Sequence, residues 1–160
     1  MQISLRLTDN GSIDNALKQL AEYKKKVDSA PAKLTKSLVD KGVQLAQENV
    51  SDMGAIDSGA LQSSIHAETN GATGAVVADA GHAAFVEFGT GVVGAGSPHP
   101  KPGLAGWKYD VNEHGEKGWW YPGKDGKLHW TKGMASRPFM YDTSIQIKDY
   151  VEPMAKEAMK

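Results

Sequence analysis

The sequence predicts an α+β fold: a small, mainly antiparallel sheet packed by two N-terminal helices and a C-terminal helix, with a long loop and an aromatic β-hairpin. Three observations carry that expectation. Apolar residues recur at helical spacing through residues 13–50 and again through residues 140–158. Strand-like runs are short and lie between those two blocks. Glycine and proline crowd residues 91–106, and all four tryptophans follow within residues 107–130. At 160 residues the chain has the size of one domain, and neither a repeat nor a linker divides it. Residues 1–160 are therefore read as a single domain carrying an extended arm at 91–133.

Taken in order, Ile3, Leu5 and Leu7 share one face of an extended segment, the expected first strand. Asp9-Asn10-Gly11 reads as a turn and Ser12 as a helix cap, after which Ile13, Ala16, Leu17, Leu20 and Val27 form an apolar stripe. Pro31 lacks a backbone donor, so it is expected to end this helix and to start a second one bearing Leu34, Leu38, Leu45 and Val50, closed by Gly54. Both stripes are expected to pack into the core. Residues 65–79 read as an antiparallel strand pair bent at Asn70-Gly71, and residues 82–88 as a short helix closed by Gly89. Residues 91–106 hold so much glycine and proline that they read as a loop, longer than an ordinary connection. Trp119-Trp120-Tyr121-Pro122 and Leu128-His129-Trp130 flank a Gly/Asp turn and read as a hairpin. The last helix starts near Pro138 and carries Met140, Ile147, Val151, Met154 and Ala158, with a kink or fraying expected at Pro153.

Several function classes are disfavoured. Lys and Arg total 18 against 19 Asp and Glu, which lacks the basic excess of a dedicated nucleic-acid binder. Lys24-Lys25-Lys26 reads as a solvated helix face. Without cysteine there is no disulfide framework and no thiolate metal site. The N-terminal residues alternate too strictly for a signal peptide, and no run approaches the roughly eighteen apolar residues of a membrane helix. The protein is expected to be soluble and to act in a reducing cytoplasm.

Gly89-Thr90-Gly91-Val92-Val93-Gly94 has the spacing of a dinucleotide fingerprint, but Pro98, Pro100 and Pro102 leave no room for the long helix such a site needs. None of the five histidines has the i, i+4 spacing of a helical zinc motif, and no serine sits in a nucleophile elbow. A grouping of Asp79, His82 and Glu87 is conceivable, with a surface or structural role favoured for each histidine. No catalytic, cofactor-binding or metal-binding residue is assigned.

The aromatic cluster is more informative. Four tryptophans represent roughly 600–1,000 Å² of buriable surface, more than the roughly 300–600 Å² of the largest apolar patch on a typical monomer. Trp107, Trp119, Trp120 and Trp130 therefore belong to the subunit's own core, to a neighbouring protein, or to a stacked sugar or single-stranded nucleic acid.

Three ordered stretches resemble the siphophage neck and tail-completion proteins, a family typified by small tail-component proteins of lambdoid phages. They are Ile56-Asp57-Ser58-Gly59-Ala60-Leu61-Gln62-Ser63-Ser64-Ile65, Ala84-Phe85-Val86-Glu87-Phe88-Gly89-Thr90, and Ala135-Ser136-Arg137-Pro138-Phe139-Met140. The resemblance spans roughly residues 30–150. Ser58 stands where the family more often has threonine, and the arm at 91–133 is long. The resemblance implies a non-enzymatic virion protein without cofactors, assembled in the bacterial cytoplasm into a homo-oligomeric ring, a hexamer, around the DNA channel at the head–tail junction. Its implied neighbours are connector, head-closure and tail-terminator or tube proteins, with non-specific proximity to DNA and no membrane.

Asp57, Gly59, Leu61, Glu87, Phe88, Gly89, Thr90, Arg137, Pro138 and Phe139 are the structural or assembly residues expected on these motifs, with Glu87 and Arg137 as a candidate ion pair. The competing expectation is a carbohydrate- or ligand-binding module that uses the tryptophan hairpin. A small hydrolase built around His82 ranks third.

Overall fold

One helix, α1 (Asn10–Asp52), runs where two were expected, and Pro31 lies inside it. The computed structural model describes residues 10–55, 58–109, 118–123 and 125–160; the strand expected at Ile3, Leu5 and Leu7, and also Asp57, lie outside them. α1 is 43 residues long, about 65 Å. It already runs at Asn10, ahead of the Ser12 cap position.

An interior proline costs a helix about 3 kcal/mol. What offsets that cost is a second helix lying antiparallel to α1 past the proline, α6 (Lys148–Ala158). Lys41 Nζ of α1 sits 4.8 Å from the ring centroid of Tyr150, and Met159 and Lys160 share a groove with Gln19, Glu22, Tyr23 and Lys26. Ala30, next to Pro31, is buried. Local propensity alone would end the helix at Pro31; packing carries it through.

After α1 come α2 (Ala60–Ser64), β1 (Ile65–Asn70) and β2 (Thr73–Ala78), which pair antiparallel from Ile65↔Ala78 to Asn70↔Thr73. Then follow α3 (Ala83–Phe88), α4 (Gly91–Gly96) and a 3₁₀ turn (Pro102–Ala105). α4 corrects the expectation of a continuous loop: one short helix does open at Gly91, and Ser97-Pro98 marks where it stops. β3 (Trp119–Pro122) and β4 (Leu128–Thr131) form the expected aromatic hairpin, in a sheet separate from β1–β2. The two-residue strand β5 (Gly133–Met134) leads to α5 (Phe139–Gln146) and then α6. The final helix therefore comes in two pieces, divided at Ile147, and Pro153 lies within the second.

The fold class is α+β as predicted, with one long N-terminal helix, small antiparallel hairpins and C-terminal helices. The core gathers Ala46 and Val50 of α1, Leu61 of α2, Ile65 of β1, Ala83 and Val86 of α3, and Phe139 of α5. Fully burying side chains of this size contributes about 1.5–3 kcal/mol each, so this cluster anchors every helix that reaches it.

Candidate assembly site

The second and third sequence motifs meet in space. Thr90 and Gly91 bridge antiparallel to Met134 and Gly133, and the Arg137 N–H donates to the Val86 carbonyl at 2.9 Å. The crossing is tight enough to dictate glycine. A Cβ on Gly89, where φ is 79°, would stand 2.6 Å from the Ser136 nitrogen and 2.8 Å from the Met134 oxygen. Any side chain there would clash with backbone that cannot move aside.

Glu87 is the polar centre of this junction and is 7% exposed. Its Oε2 accepts the Met140 N–H and its Oε1 the Tyr141 N–H, both at 2.9 Å. These are two of the free donors that open α5, and Pro138 at the cap position has no side-chain oxygen to satisfy them. Glu87 thus caps α5 from another element, where the helix dipole also favours a negative charge.

His99, 2% exposed, completes the arrangement. Its Nδ1 accepts the Lys101 N–H at 2.9 Å, so the ring proton sits on Nε2, 3.2 Å from Glu87 Oε1. The expected partnership of Glu87 with Arg137 within one subunit is corrected: Glu87 is occupied by the α5 amides and His99, while Arg137 contributes its backbone N–H to α3.

Around this centre Phe85, Trp107, Phe88, His99 and Tyr141 make a chain of ring contacts. Trp107 stacks on Phe88 at 5.1 Å and meets Phe85 edge-on at 5.6 Å, and its indole N–H donates to the Gly89 carbonyl at 2.9 Å. His99 contacts Phe88 and Tyr141 at 4.6 Å and 5.2 Å. The Tyr109 hydroxyl accepts the His99 N–H, and its carbonyl accepts the Gly91 N–H. The first half of the arm is therefore sewn to its own subunit.

The four tryptophans divide accordingly. Trp107 is taken up by α3, and Trp119 is half-buried over Gly91. Trp120 and Trp130 are 60% and 47% exposed, paired across the hairpin register and in edge-to-face contact at 5.4 Å. Pro122 and Leu128, the next register pair on the same face, are exposed too. A second apolar surface comes from α1, where Leu17, Leu20 and Val27 are exposed although helical spacing predicted core, and Tyr23 is exposed as well. Of these, Tyr23 borders the groove that holds Met159 and Lys160.

Of the remaining motif residues, Leu61 and Phe139 are core, Gly59 holds φ 76° at the start of α2, Phe88 packs against His99 and Trp107, and Thr90 bridges to β5. The residues picked out from sequence thus include many that join elements within one subunit.

Asp79, His82 and Glu87 are not brought together: His82 is exposed at the start of α3, Asp79 lies 3.7 Å from His66, and Glu87 faces His99. The Ser64 carbonyl raises the His66 pKa most; desolvation opposes it, and the Asp79 and Glu68 carboxylates add smaller increases. In the β3–β4 turn, His129 and then the Lys127 N–H hold the Asp125 carboxyl below its usual range. Among the described residues no group of three potential metal ligands gathers, and no helix is long and apolar enough to cross a membrane.

Sequence reading missed two structural residues. Asn49 is buried and donates to the Phe139 carbonyl, Thr143 Oγ1 and Gln146 Oε1, tying α1 to α5. Its signal was a polar residue set against Val50 and Ala46 on an apolar helix face. His99 offered a weaker signal, one histidine between Pro98 and Pro100.

Residues 14–89, just under half of the chain, match the HK97-gp10-like family, described as "Bacteriophage HK97-gp10, putative tail-component". That stretch holds the first motif and the second as far as Gly89, and stops before Thr90, the arm and the α5 motif. No curated protein and no solved structure matches the chain. The match supports a coarse class, a phage structural protein of the tail-component kind.

Proposed function

We propose that this phage structural protein forms a homo-oligomeric ring, a hexamer, at the head–tail junction, where it serves as a neck or tail-completion component around the DNA channel. Its neighbours on the two sides of the ring are connector or head-closure proteins and tail-terminator or tube proteins. The subunit acts as one domain, with residues 91–133 as its arm, and the partner-facing part of the arm is the hairpin face of Trp120 and Trp130.

The observation that carries this reading is the presence of two separate exposed apolar faces, on the hairpin and on the first half of α1. A head-to-tail contact needs two different complementary surfaces on each copy, and such contacts close into rings when the rotation permits. A stable interface buries about 800 Å² per partner. Three or four half-exposed side chains supply on the order of half that area on each partner, and the surface around each face supplies the rest. The near-zero net charge of -1 fits a protein beside DNA without gripping it.

Sedimentation of the purified protein, together with the Trp120→Ser/Trp130→Ser variant, tests the reading. A discrete ring that falls to subunits in the variant supports it. A folded monomer at every concentration sinks it, and a monomer that binds glycans through Trp120 and Trp130 would put a carbohydrate-binding module in its place.

A further inference from the structure

The β1–β2 hairpin is a two-stranded sheet, and neither strand pairs with a third among the described residues. Alternate residues of β1 therefore turn their N–H and C=O groups away from β2. Near the base this edge is partly covered, because Gln47 Nε2 reaches the Gln62 and Ile65 carbonyls. The outer part, from Ala67 to Asn70, is exposed and borders a shallow groove lined by Glu68, Thr69, Asn70, Thr73, Gly74 and Ala75. Exposed strand edges are templates for another strand.

The sequence of this chain contains a matching alternation. Ile3, Leu5 and Leu7 alternate with Ser4 and Arg6. On β1, Ala67 is opposite Val76, whose side chain packs toward α1, whereas His66 and Glu68 lie on the other face. An added strand would continue both rows: Ile3, Leu5 and Leu7 on the α1 side, Arg6 on the side of Glu68. The charges are complementary.

Reach decides which copy supplies the strand. The Thr35 hydroxyl donates to the Ala72 carbonyl at 3.0 Å, so the hairpin tip stands level with Thr35 and the strands run from there toward Val50. Thr35 lies about 37 Å along α1 from Asn10 at 1.5 Å per residue. Ile3 can stand at most about 25 Å from Asn10, even fully extended. The segment therefore falls short of its own hairpin.

We infer that residues 3–7 of one copy add as a strand to the β1 edge of a neighbouring copy, linking subunits by main-chain hydrogen bonds. The inference rests on the ring reading for the neighbour's presence.

The natural chain has no cysteine, so introduced thiols report cleanly. Chains carrying Arg6→Cys alone and Glu68→Cys alone are mixed and treated with a short bismaleimide, beside the double variant. The expected result is a covalent dimer in the mixture and a ladder of higher species from the double variant. A crosslink confined to single chains, or none at all, overturns the inference. Sedimentation of the uncoupled proteins separates the two failures: a ring without crosslinks sinks strand addition alone, whereas a monomer sinks both.

Leu5→Pro provides an independent arm, since proline removes a donor from the added strand. Ring dissociation should strengthen about tenfold while thermal unfolding of the subunit stays unchanged. Unaltered dissociation would overturn strand addition.

Discussion

The α3–α5 junction and the β3–β4 hairpin both drew attention as sequence motifs, yet the structure treats them in opposite ways. At the junction the side chains turn inward: Glu87 caps α5, His99 closes on Glu87, and Phe139 is 1% exposed in the core. On the hairpin the bulky residues turn outward, with Trp120 and Trp130 in contact mainly with each other. The junction reads as the device that makes the subunit, and the hairpin as surface left for something else.

Stability measurements would break this contrast if it is wrong. Phe139→Ala should cost about 3–5 kcal/mol in chemical denaturation, because it empties the centre of the core. A loss no greater than that of an exposed position would mean that the junction does not anchor the fold.

Glu87→Ala should come next. It strips the acceptor from two helix-opening amides on half-buried residues, where water can substitute, and from buried His99, whose unmet donor costs about 1–3 kcal/mol. A double-mutant cycle sharpens the assignment: Glu87→Ala with His99→Ala should be strongly non-additive, and Glu87→Ala with Arg137→Met additive. The reverse pattern would restore the ion pair expected from sequence.

On the hairpin, Trp120→Ser and Trp130→Ser should change subunit stability by within about 0.5 kcal/mol while weakening assembly. A large loss of subunit stability would show that the aromatic face belongs to the fold.

The smallest effects concern pH. The folded-state pKa of His66 is raised, so its contribution to stability is present at low pH and fades as pH rises through that folded value. The Asp125 value is lowered, so its contribution is present at neutral pH and fades as pH falls through the depressed value. Both groups are exposed, so NMR titration of their own signals is the sensitive check, and unshifted midpoints would dismiss either.

Much of this was legible in the residues. Helical periodicity located α1 and the C-terminal helices, and the Asn70-Gly71 bend and the Gly/Asp turn located both hairpins. The errors share a cause. Pro31 was read as a break because proline's local cost is visible in sequence, whereas the helix packed past it comes from more than a hundred residues later. The apolar stripe of Leu17, Leu20 and Val27 was read as core because spacing reveals that a face is apolar and not what covers it. Residues 91–106 were read as loop because their glycines are poor helix formers, yet α4 forms where β5 passes beside Gly91.

By itself, then, the sequence determined the fold class, the strand pairs and the absence of thiol chemistry, since these follow from spacing and composition within short windows. Only the tertiary structure decided that Glu87 serves α5 and His99 rather than Arg137, that Trp107 packs on α3 of its own subunit, and that Trp120 and Trp130 are exposed. The physical reason is distance along the chain. Periodicity is set by neighbours a few residues apart, whereas a carboxylate's partner or a tryptophan's burial depends on which remote segment the core brings alongside.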